Sequence, residues 1–253
     1  MSDVLVLCYH AVSDSWSAPL SVTPFALHDQ VQRLVRRGYR PRCFSDAVLD
    51  PGAGRTLVIT FDDAFASVHD QALPVLGELG APATVFVPTG HVGGGPMRWP
   101  GIDGWADGPH AGELTGCTWE QIGELKQEGW EVGSHSHSHH RLTSLTDEDL
   151  RTELRCSKTE CERHTGVTCR SLAYPYGDHD ARVVSAARDA GYLAACTLPV
   201  RTHGAAALRY PRVYVSHADG GVRFAAKTSP SMRLLRRSPA WSAVAGLRSA
   251  LGN

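Results

Sequence analysis

The sequence predicts an α/β protein built on parallel strands. Short runs rich in Val, Leu and Ile alternate along the chain with segments whose apolar residues recur at helical spacing. Gly80, Gly129 and Gly191 each stand between a predicted helix and the next predicted strand, where a left-handed residue commonly ends a helix. This repeated order of helix, glycine and strand predicts an α/β barrel or a doubly wound sheet.

The individual elements follow from these patterns in chain order. The predicted strands are residues 4–9, 56–61, 84–87, 131–134, 171–174, 193–197 and 212–215. Seven strands are enough to form a barrel. Thr23 is a favourable N-cap and Pro24 suits the first position of a helix, so a helix is predicted there. Further helices are predicted from the N-cap Thr146 to Arg163 and over residues 68–79, 119–128 and 181–190.

Composition and charge narrow the function classes. The 253 residues, 42% of them hydrophobic, suit one large domain. Lys plus Arg (25) and Asp plus Glu (26) nearly cancel, so no nucleic acid is expected as a partner. The N-terminus lacks the pattern of a secretory signal, and no apolar run is long enough to span a membrane. We therefore expect a cytoplasmic protein with reduced cysteines.

Two segments differ in character from the alternating pattern. Residues 90–116 are rich in Gly, Pro and Trp and show no period, which predicts a long functional loop over one end of the sheet. Residues 228–253 are basic and amphipathic, and we expect a helical tail that follows a catalytic domain over residues 1–227. Such a tail either packs on the domain or makes a peripheral membrane contact. The oligomeric state is not predicted.

Two adjacent carboxylates, Asp62 and Asp63, follow the predicted strand 56–61. Active sites of α/β proteins lie at the carboxyl ends of their strands. Successive residues leaving a strand point to different sides, so one carboxylate can bind a metal ion while the other acts as a base. In isolation, an Asp pair at this position is more often a turn or a helix cap.

Four histidines lie within residues 135–140, directly after the strand 131–134. His135 and His139 have the i, i+4 spacing that places two imidazoles on one face of a helical turn, although His137 and His140 offer competing registers. Two histidines and one aspartate leave coordination positions open, as in hydrolytic zinc sites and in the facial triads of iron oxygenases. The ligand types alone leave both classes open.

A Pro-Tyr-Gly sequence over residues 175–177 follows the strand 171–174. It predicts a rigid turn that could aim a backbone N–H into the site, although a plain turn is the more common role of such a sequence. In the order Thr-Phe-Asp-Asp, His-Ser-x-x-His and Pro-Tyr-Gly, the chain resembles the polysaccharide deacetylase family, the NodB-homology group of carbohydrate esterases. The resemblance covers about residues 4–227.

The resemblance implies a distorted (β/α)7 barrel of the NodB-homology type. It assigns the general base to Asp62 and a divalent metal ion to Asp63, His135 and His139. Zinc is the default ion, and cobalt, nickel or iron also suit these ligands. In the family mechanism, metal-bound water attacks the acetamide of an N-acetylated amino sugar, and a backbone N–H, here that of Tyr176, helps to stabilise the oxyanion.

The substrate class that this implies is a carbohydrate carrying an N-acetyl group. An oligosaccharide, a glycolipid, a nucleotide sugar or a glycosylated natural product would each fit. Pro175, which precedes the implied oxyanion donor Tyr176, belongs to the same substrate-facing turn.

Two departures from the family pattern concern the base. Ala64 replaces the usual Gly after the Asp pair, and Ala173 stands where many members carry an Arg that pairs with the base. Another residue must then orient Asp62, and we expect Arg212 to do so.

A third departure concerns the general acid, because the C-terminal Leu-x-His motif of many members is missing. Cys8-Tyr9-His10 resembles the Tyr-His element of the poly-N-acetylglucosamine deacetylase branch, in which an early histidine takes the acid role. We therefore expect His10 to be the acid, with His217 as the second candidate.

Two other function classes stay open at this point. A non-catalytic carbohydrate-binding relative could have lost its base orientation through Ala173. An iron oxygenase would use the same metal ligands with a 2-oxoacid co-substrate and predicts no role for Asp62.

Overall fold

Parallel strands form the wall of a barrel in the computed structural model, which describes residues 2–198 and 206–236. The strands are β1 (Asp3–Tyr9), β2 (Ala11–Val12), β3 (Ser21–Val22), β4 (Tyr39–Pro41), β5 (Arg55–Phe61), β6 (Thr84–Val87), β7 (Glu131–Ser134), β8 (Ser171–Ala173), β9 (Ala194–Thr197), β10 (Tyr210–Pro211) and β11 (Val213–Tyr214). The helices are α1 (Pro24–Arg36), α2 (Phe44–Leu49), α3 (Leu73–Glu78), α4 (Trp119–Gln127), α5 (Asp147–Thr165), α6 (Ala181–Asp189), α7 (Gly221–Thr228) and α8 (Pro230–Arg236).

The sheet has the order β10, β9, β8, β7, β6, β5, β1, β11, and every pair in it is parallel. The predicted α/β barrel is confirmed. The predicted glycines also adopt the expected left-handed conformation, with φ of 57° at Gly80, 83° at Gly129 and 85° at Gly191. Each helix therefore ends where the chain must turn back to the sheet.

The barrel closes through one segment that pairs with two different neighbours. Tyr210–Pro211 pairs with β9, whereas Val213–Tyr214 pairs with β1. Arg212 stands between the two short strands, and its side chain is buried. The single predicted strand 212–215 was therefore wrong in its bounds, because the segment changes partner at Arg212.

A short helix that the sequence did not reveal closes the opposite end of the barrel. The first residue of α2, Phe44, is fully buried and its ring packs edge-on against Phe86 at 5.7 Å between ring centroids. Glu131 accepts a hydrogen bond from the Ser45 backbone N–H at 2.8 Å and another from the Ser171 hydroxyl at 2.6 Å. These contacts leave the carboxyl ends of the strands as the open end of the barrel.

The predicted helix over residues 68–79 is instead two segments. A π-helical stretch, Val68–Ala72, precedes α3. Pro74 lies in the first turn of α3 and has no N–H to donate, which disfavours a regular α-helical bond at this position. The helical segment was therefore predicted at the correct place, but the prediction of one continuous α-helix was wrong.

The long loop over residues 90–116 is an ordered structure with its own packing. Met97, Trp99 and Leu114 are buried within it, and Phe65 forms an antiparallel bridge with Gly116. The loop thus contacts the segment that follows β5. It borders the end of the barrel at which the carboxyl ends of the strands meet, where Trp99 contacts His139.

The start of the C-terminal tail packs on the barrel. Helix α7 continues to Thr228, one residue beyond the predicted end of the catalytic domain at 227. Arg233 in α8 forms an ion pair with Asp3 of β1 at 2.8 Å. Residues 237–253 of the predicted tail, and His203, lie outside the described residues.

Candidate active site

The predicted site residues come from five different parts of the sheet and meet at the open end of the barrel. They are His10 after β1, Asp62 and Asp63 after β5, His135 and His139 after β7, Pro175 and Tyr176 after β8, and Arg212 between β10 and β11. His10, Asp62, Asp63, His135, His139 and Arg212 are all buried. Parallel strands bring their carboxyl ends to one edge, so residues far apart in sequence become neighbours here.

Asp63, His135 and His139 form a compact set of candidate metal donors. The Nε2 atoms of His135 and His139 lie 3.4 Å and 3.3 Å from Oδ1 of Asp63. Among the described residues, this buried oxygen accepts no hydrogen bond. Bonds of about 2.0–2.1 Å to a tetrahedral zinc ion would separate neighbouring donor atoms by about 3.3–3.4 Å. The three side chains therefore fit a divalent ion.

The charge state of Asp63 also suits a ligand. Burial raises the pKa of a carboxyl group, but the imidazoles of His135 and His139 outweigh this effect and hold the pKa of Asp63 well below its usual range. The carboxylate is therefore ionised, as metal binding requires.

The two histidines do not lie on a helical turn, so that prediction was wrong. Residues 135–140 form an irregular loop in which Ser136 and His139 have positive φ angles of 63° and 56°. The Ser136 hydroxyl accepts a hydrogen bond from the His139 N–H at 3.1 Å. Glu153 of α5 accepts bonds from the N–H groups of His137 and Ser138. Hydrogen bonds to buried side chains, and not helical geometry, bring both imidazoles to Asp63.

His135 has a defined orientation. Its Nδ1 lies 2.8 Å from the carbonyl oxygen of Ala173, the acceptor for an Nδ1–H. This tautomer leaves the Nε2 lone pair directed at the metal position. Ala173 thus contributes its backbone to the site, where the family pattern has the side chain of an arginine.

Asp62 is held by a buried guanidinium. Arg212 donates from Nη1 to Oδ1 at 2.6 Å and from Nη2 to Oδ2 at 2.7 Å. A third donor, the Cys8 thiol, lies 3.5 Å from Oδ2. Burial raises the pKa of Asp62, but the charge and hydrogen bonds of Arg212, together with the charges of His135 and His10, outweigh this effect, so that the pKa falls to about 2. Such a carboxylate takes a proton only from a strongly acidified donor.

Arg212 itself is fixed in the barrel interior. Its Nη1 also donates to the Thr60 hydroxyl at 3.0 Å, and its guanidinium lies over the Phe86 ring at 5.6 Å. The predicted neighbourhood of Arg212 and Asp62 is therefore present in the structure. Its role in catalysis stays a prediction.

Of the two predicted acids, the structure brings His10 to the carboxylates. A ring nitrogen of His10 lies within 4.8 Å of the Cys8 sulfur and an Asp62 oxygen. Burial lowers the pKa of His10 against the opposing effect of Asp62 and Asp63. His217 is exposed in the turn after β11. These positions favour His10, whose role stays a prediction.

The Pro-Tyr-Gly turn borders the metal donors. Tyr176 has a left-handed backbone with φ of 59°, and its ring packs edge-on against His139 at 4.9 Å. Pro175 is buried, and a Cβ on Gly177 would lie 2.5 Å from the Leu198 nitrogen. The turn is therefore rigid, and its proposed oxyanion donor awaits a test.

Ala64 occupies a position that favours glycine. Its φ is 48°, next to Asp63 at 68°. Left-handed backbone is costly for a residue with a Cβ, which explains why a glycine is usual there. The strain accompanies the turn that follows β5 at Asp63 and Ala64.

The sequence did not reveal one neighbour of the metal donors, Trp99. Its ring stacks on His139 with 4.1 Å between ring centroids and 27° between planes. Trp99 belongs to the loop 90–116, which has no periodic pattern. The one sequence feature that pointed to Trp99 was its position in the predicted functional loop.

Known proteins share both the sequence motifs and the barrel. A family model described as polysaccharide deacetylase matches residues 50–195, more than half of the chain. The chain belongs to the polysaccharide deacetylase family. The matched region contains Asp62, Asp63, His135 and His139, whereas His10 and Arg212 lie outside it.

Two curated relatives of this family member show moderate identity. YxkH of Bacillus subtilis, described as a polysaccharide deacetylase, is 26% identical over 217 residues, which is 84% of this chain and 69% of YxkH. The poly-β-1,6-N-acetyl-D-glucosamine N-deacetylase of Staphylococcus epidermidis is 27% identical over 178 residues, which is 64% of this chain and 55% of that enzyme. The match thus spans about half the length of the staphylococcal enzyme.

Solved structures of other deacetylases share the fold. A polysaccharide deacetylase from Bacillus cereus has a TM-score of 0.72 and 25% identity, over 89% of this chain and 69% of that one. IcaB from Ammonifex degensii has a TM-score of 0.72 and 24% identity, over 94% of this chain and 98% of that one.

Within the described residues, no helix combines the length and apolar character needed to cross a membrane.

Proposed function

We propose that the protein is a metal-dependent hydrolase that removes N-acetyl groups from an N-acetylated amino sugar. The observation that carries this proposal is the convergence of three buried metal donors beside a carboxylate that Arg212 holds in a bidentate pair. Family membership supports the same chemistry. Zinc is the proposed ion, and it would polarise the acetyl carbonyl and acidify a water molecule when bound to Asp63, His135 and His139.

The remaining chemistry belongs to side chains of the chain itself. Oδ2 of Asp62 accepts hydrogen bonds from Arg212 and from the Cys8 thiol, whereas Oδ1 accepts one from Arg212 and keeps a second lone pair, so Oδ1 can accept the proton of the attacking water. The new bond joins the water oxygen to the carbonyl carbon, and the bond that breaks is the C–N bond of the acetamide. His10 in its protonated form gives its proton to the departing nitrogen, and burial, which lowers the pKa of His10, makes that form a stronger proton donor. Acetate and a free amine result.

Tyr176 has a supporting role in this proposal. Its backbone N–H would stabilise the negative charge on the carbonyl oxygen during the attack. The rigid turn around Pro175 and Gly177 supports this role, because a donor that is fixed in advance needs no reorganisation.

The proposed substrates are an oligosaccharide, a glycolipid, a nucleotide sugar or a glycosylated natural product. The staphylococcal relative is named for poly-β-1,6-N-acetyl-D-glucosamine, so β-1,6-linked N-acetylglucosamine oligomers are the first substrates to test. The cytoplasmic location and the membrane contact of the tail stay predictions.

The two rival classes are less well supported by the geometry. Ala173 removes the usual partner of the base, as a non-catalytic relative would require, yet Arg212 supplies two hydrogen bonds to Asp62. An oxygenase would have no use for an aspartate held in this way.

The deciding experiment separates the roles of the two carboxylates. Acetate release from β-1,6-linked N-acetylglucosamine oligomers is measured with zinc-loaded wild type, Asp62→Asn and Asp63→Asn, together with the metal content of each. We expect Asp62→Asn to keep its metal and lose about 10²–10⁴-fold in kcat, while Asp63→Asn loses the metal. Full turnover by Asp62→Asn would contradict the mechanism, and sugar binding without any acetate release would favour the non-catalytic class.

A further inference from the structure

The two histidines of the donor set differ in how their rings are held. His135 has a backbone acceptor for Nδ1, the carbonyl of Ala173. The Nδ1 of His139 is buried and, within residues 2–198 and 206–236, has no hydrogen-bond partner. Metal-binding histidines almost always use this second nitrogen to fix the ring. Some other contact must therefore orient His139.

Besides the imidazole of His135, two aromatic rings surround His139. Trp99 stacks on it nearly parallel at 4.1 Å, and Tyr176 meets it edge-on at 4.9 Å. The Arg141 guanidinium lies over the Tyr176 ring, 4.2 Å from its centroid. Trp99 is only 7% exposed, so its ring is too enclosed to serve as a platform for a sugar. The Trp99 ring packs face-on against the His139 imidazole and edge-on against the His91 ring, 5.1 Å away between centroids.

The backbone around Trp99 is rigid enough to hold a ring in place. The Trp99 carbonyl accepts hydrogen bonds from the N–H groups of Ile102 and Asp103, at the start of a short 3-10 turn. Earlier in the same loop, the Gly90 N–H donates to the His137 carbonyl at 2.8 Å. A Cβ on Gly90 would approach that carbonyl to 2.9 Å. The loop 90–116 is thus joined to the loop that carries His139.

We propose that Trp99 is a positioning residue for the metal ligand His139, and that its ring replaces the hydrogen bond that usually orients such a ligand. The proposal rests on the proposed metal site. Stacked aromatic pairs favour one relative orientation of their rings, and here that preference restricts rotation of the imidazole. The long loop 90–116 therefore helps to build the metal centre.

The test measures zinc affinity and the spectrum of the cobalt-substituted protein for wild type, Trp99→Leu and Trp99→Phe. We expect Trp99→Leu to bind zinc about 10–100-fold more weakly, as for losses of other groups that orient ligands, and to alter the cobalt spectrum. Trp99→Phe restores a stacked ring and should recover most of the affinity. Unfolding of the metal-free variants shows whether each remains folded.

Trp105→Leu is the matched control, because Trp105 lies in the same loop and packs edge-on against Trp16 at 5.3 Å. We expect it to lose stability and keep the zinc affinity of wild type. The inference would be overturned if Trp99→Leu were folded and kept the zinc affinity and cobalt spectrum of wild type. It would also be overturned if Trp105→Leu lost as much zinc affinity as Trp99→Leu. If wild type itself bound no metal, the proposed function would fail before this comparison is reached.

Discussion

At the scale of single residues, the barrel interior explains how an arginine comes to hold Asp62, the proposed base. Phe86 lies beneath the Arg212 guanidinium, and Thr60 and Asp62 accept its hydrogen bonds. Ala173 leaves no arginine on β8, and the guanidinium reaches Asp62 instead from the segment that closes the barrel. The charge that holds the base therefore depends on closure of the sheet.

A lysine cannot reproduce this bidentate contact. Arg212→Lys keeps the charge but loses one of two charge-assisted hydrogen bonds, each of which contributes about 1.5–3 kcal/mol. We expect kcat for acetate release to fall about 10–100-fold, the rate equivalent of that energy, while the metal content is unchanged. Arg209→Lys, at an exposed position next to the closing segment, is the control. If Arg212→Lys matched that control, the orienting role of Arg212 would be disproved.

Gly133 leaves room for Phe86. A Cβ at this position would lie 2.6 Å from two Phe86 ring carbons and 2.6 Å from the Ser171 hydroxyl. We expect Gly133→Ala to lower the free energy of unfolding by about 1–3 kcal/mol, measured by urea denaturation. Gly123→Ala in α4 is the control, since a Cβ there would meet no atom within 4 Å, and it should stabilise by about 0.5–1 kcal/mol. Equal effects of both substitutions would show that the interior is not tightly packed.

At the scale of elements, regular segments were predictable and irregular ones were not. The strands β6 and β7 have the predicted bounds, because their apolar runs are bounded by clear helix ends. The i, i+4 spacing of two histidines predicts a helical turn over residues 135–140, whereas the structure has a loop. The path of this loop depends on Glu153, a residue of a later helix, and no local pattern encodes that contact.

Contacts between loops also could not be predicted, because no local sequence pattern encodes them. Trp99 and His139 meet only because two loops with no period are joined by backbone hydrogen bonds. The grouping of Asp62, Asp63, His135 and His139 could be predicted because these residues belong to recognisable motifs. The position of Arg212 beside Asp62 could be predicted because the arginine of the family motif is replaced by Ala173. The short elements β2, β3 and α2 could not be predicted, since two to six residues carry too little periodicity.

His69 links the π-helical stretch to α4, and this link should depend on pH. Its Nδ1 lies 2.8 Å from Asp70 and its Nε2 lies 2.7 Å from Glu124. Burial lowers the pKa of His69, but the two carboxylates outweigh it and raise the pKa above its usual value. A raised folded-state pKa gives stability that is fully present below the unfolded-state pKa and is lost as pH rises through the folded value.

The carboxylates are about half exposed, with side-chain exposures of 54% and 49%, so solvent screening limits the effect to about 0.2–1 kcal/mol. We expect His69→Gln to destabilise at a pH of about 5.5, below the ordinary histidine pKa, and to have a smaller effect at about 8.5. Urea denaturation at both pH values measures the difference. A destabilisation by His69→Gln that is larger at the higher pH would contradict the raised pKa of His69.

At the scale of the whole molecule, one segment closes the barrel and also carries a residue of the proposed catalytic site. The segment that pairs with β9 and then with β1 carries Arg212 at the point where it changes partner. The opposite end is closed by α2, so access is confined to the end where the metal donors meet. The parallel barrel could be predicted from the sequence, whereas its point of closure could not, because a single short run of residues serves two neighbours.

The central claim is one metal ion per chain, bound by Asp63, His135 and His139, with Asp62 free to act as the base. A second group of donors, Cys8, His10 and Asp62, also lies within 4.8 Å, but both oxygens of Asp62 already bond to Arg212. The most direct measurement is the rate of acetate release during titration of chelator-treated protein with zinc. We predict no activity without metal and a rate that saturates at one equivalent per chain. Undiminished activity after complete metal removal, or saturation only at two equivalents, would contradict it.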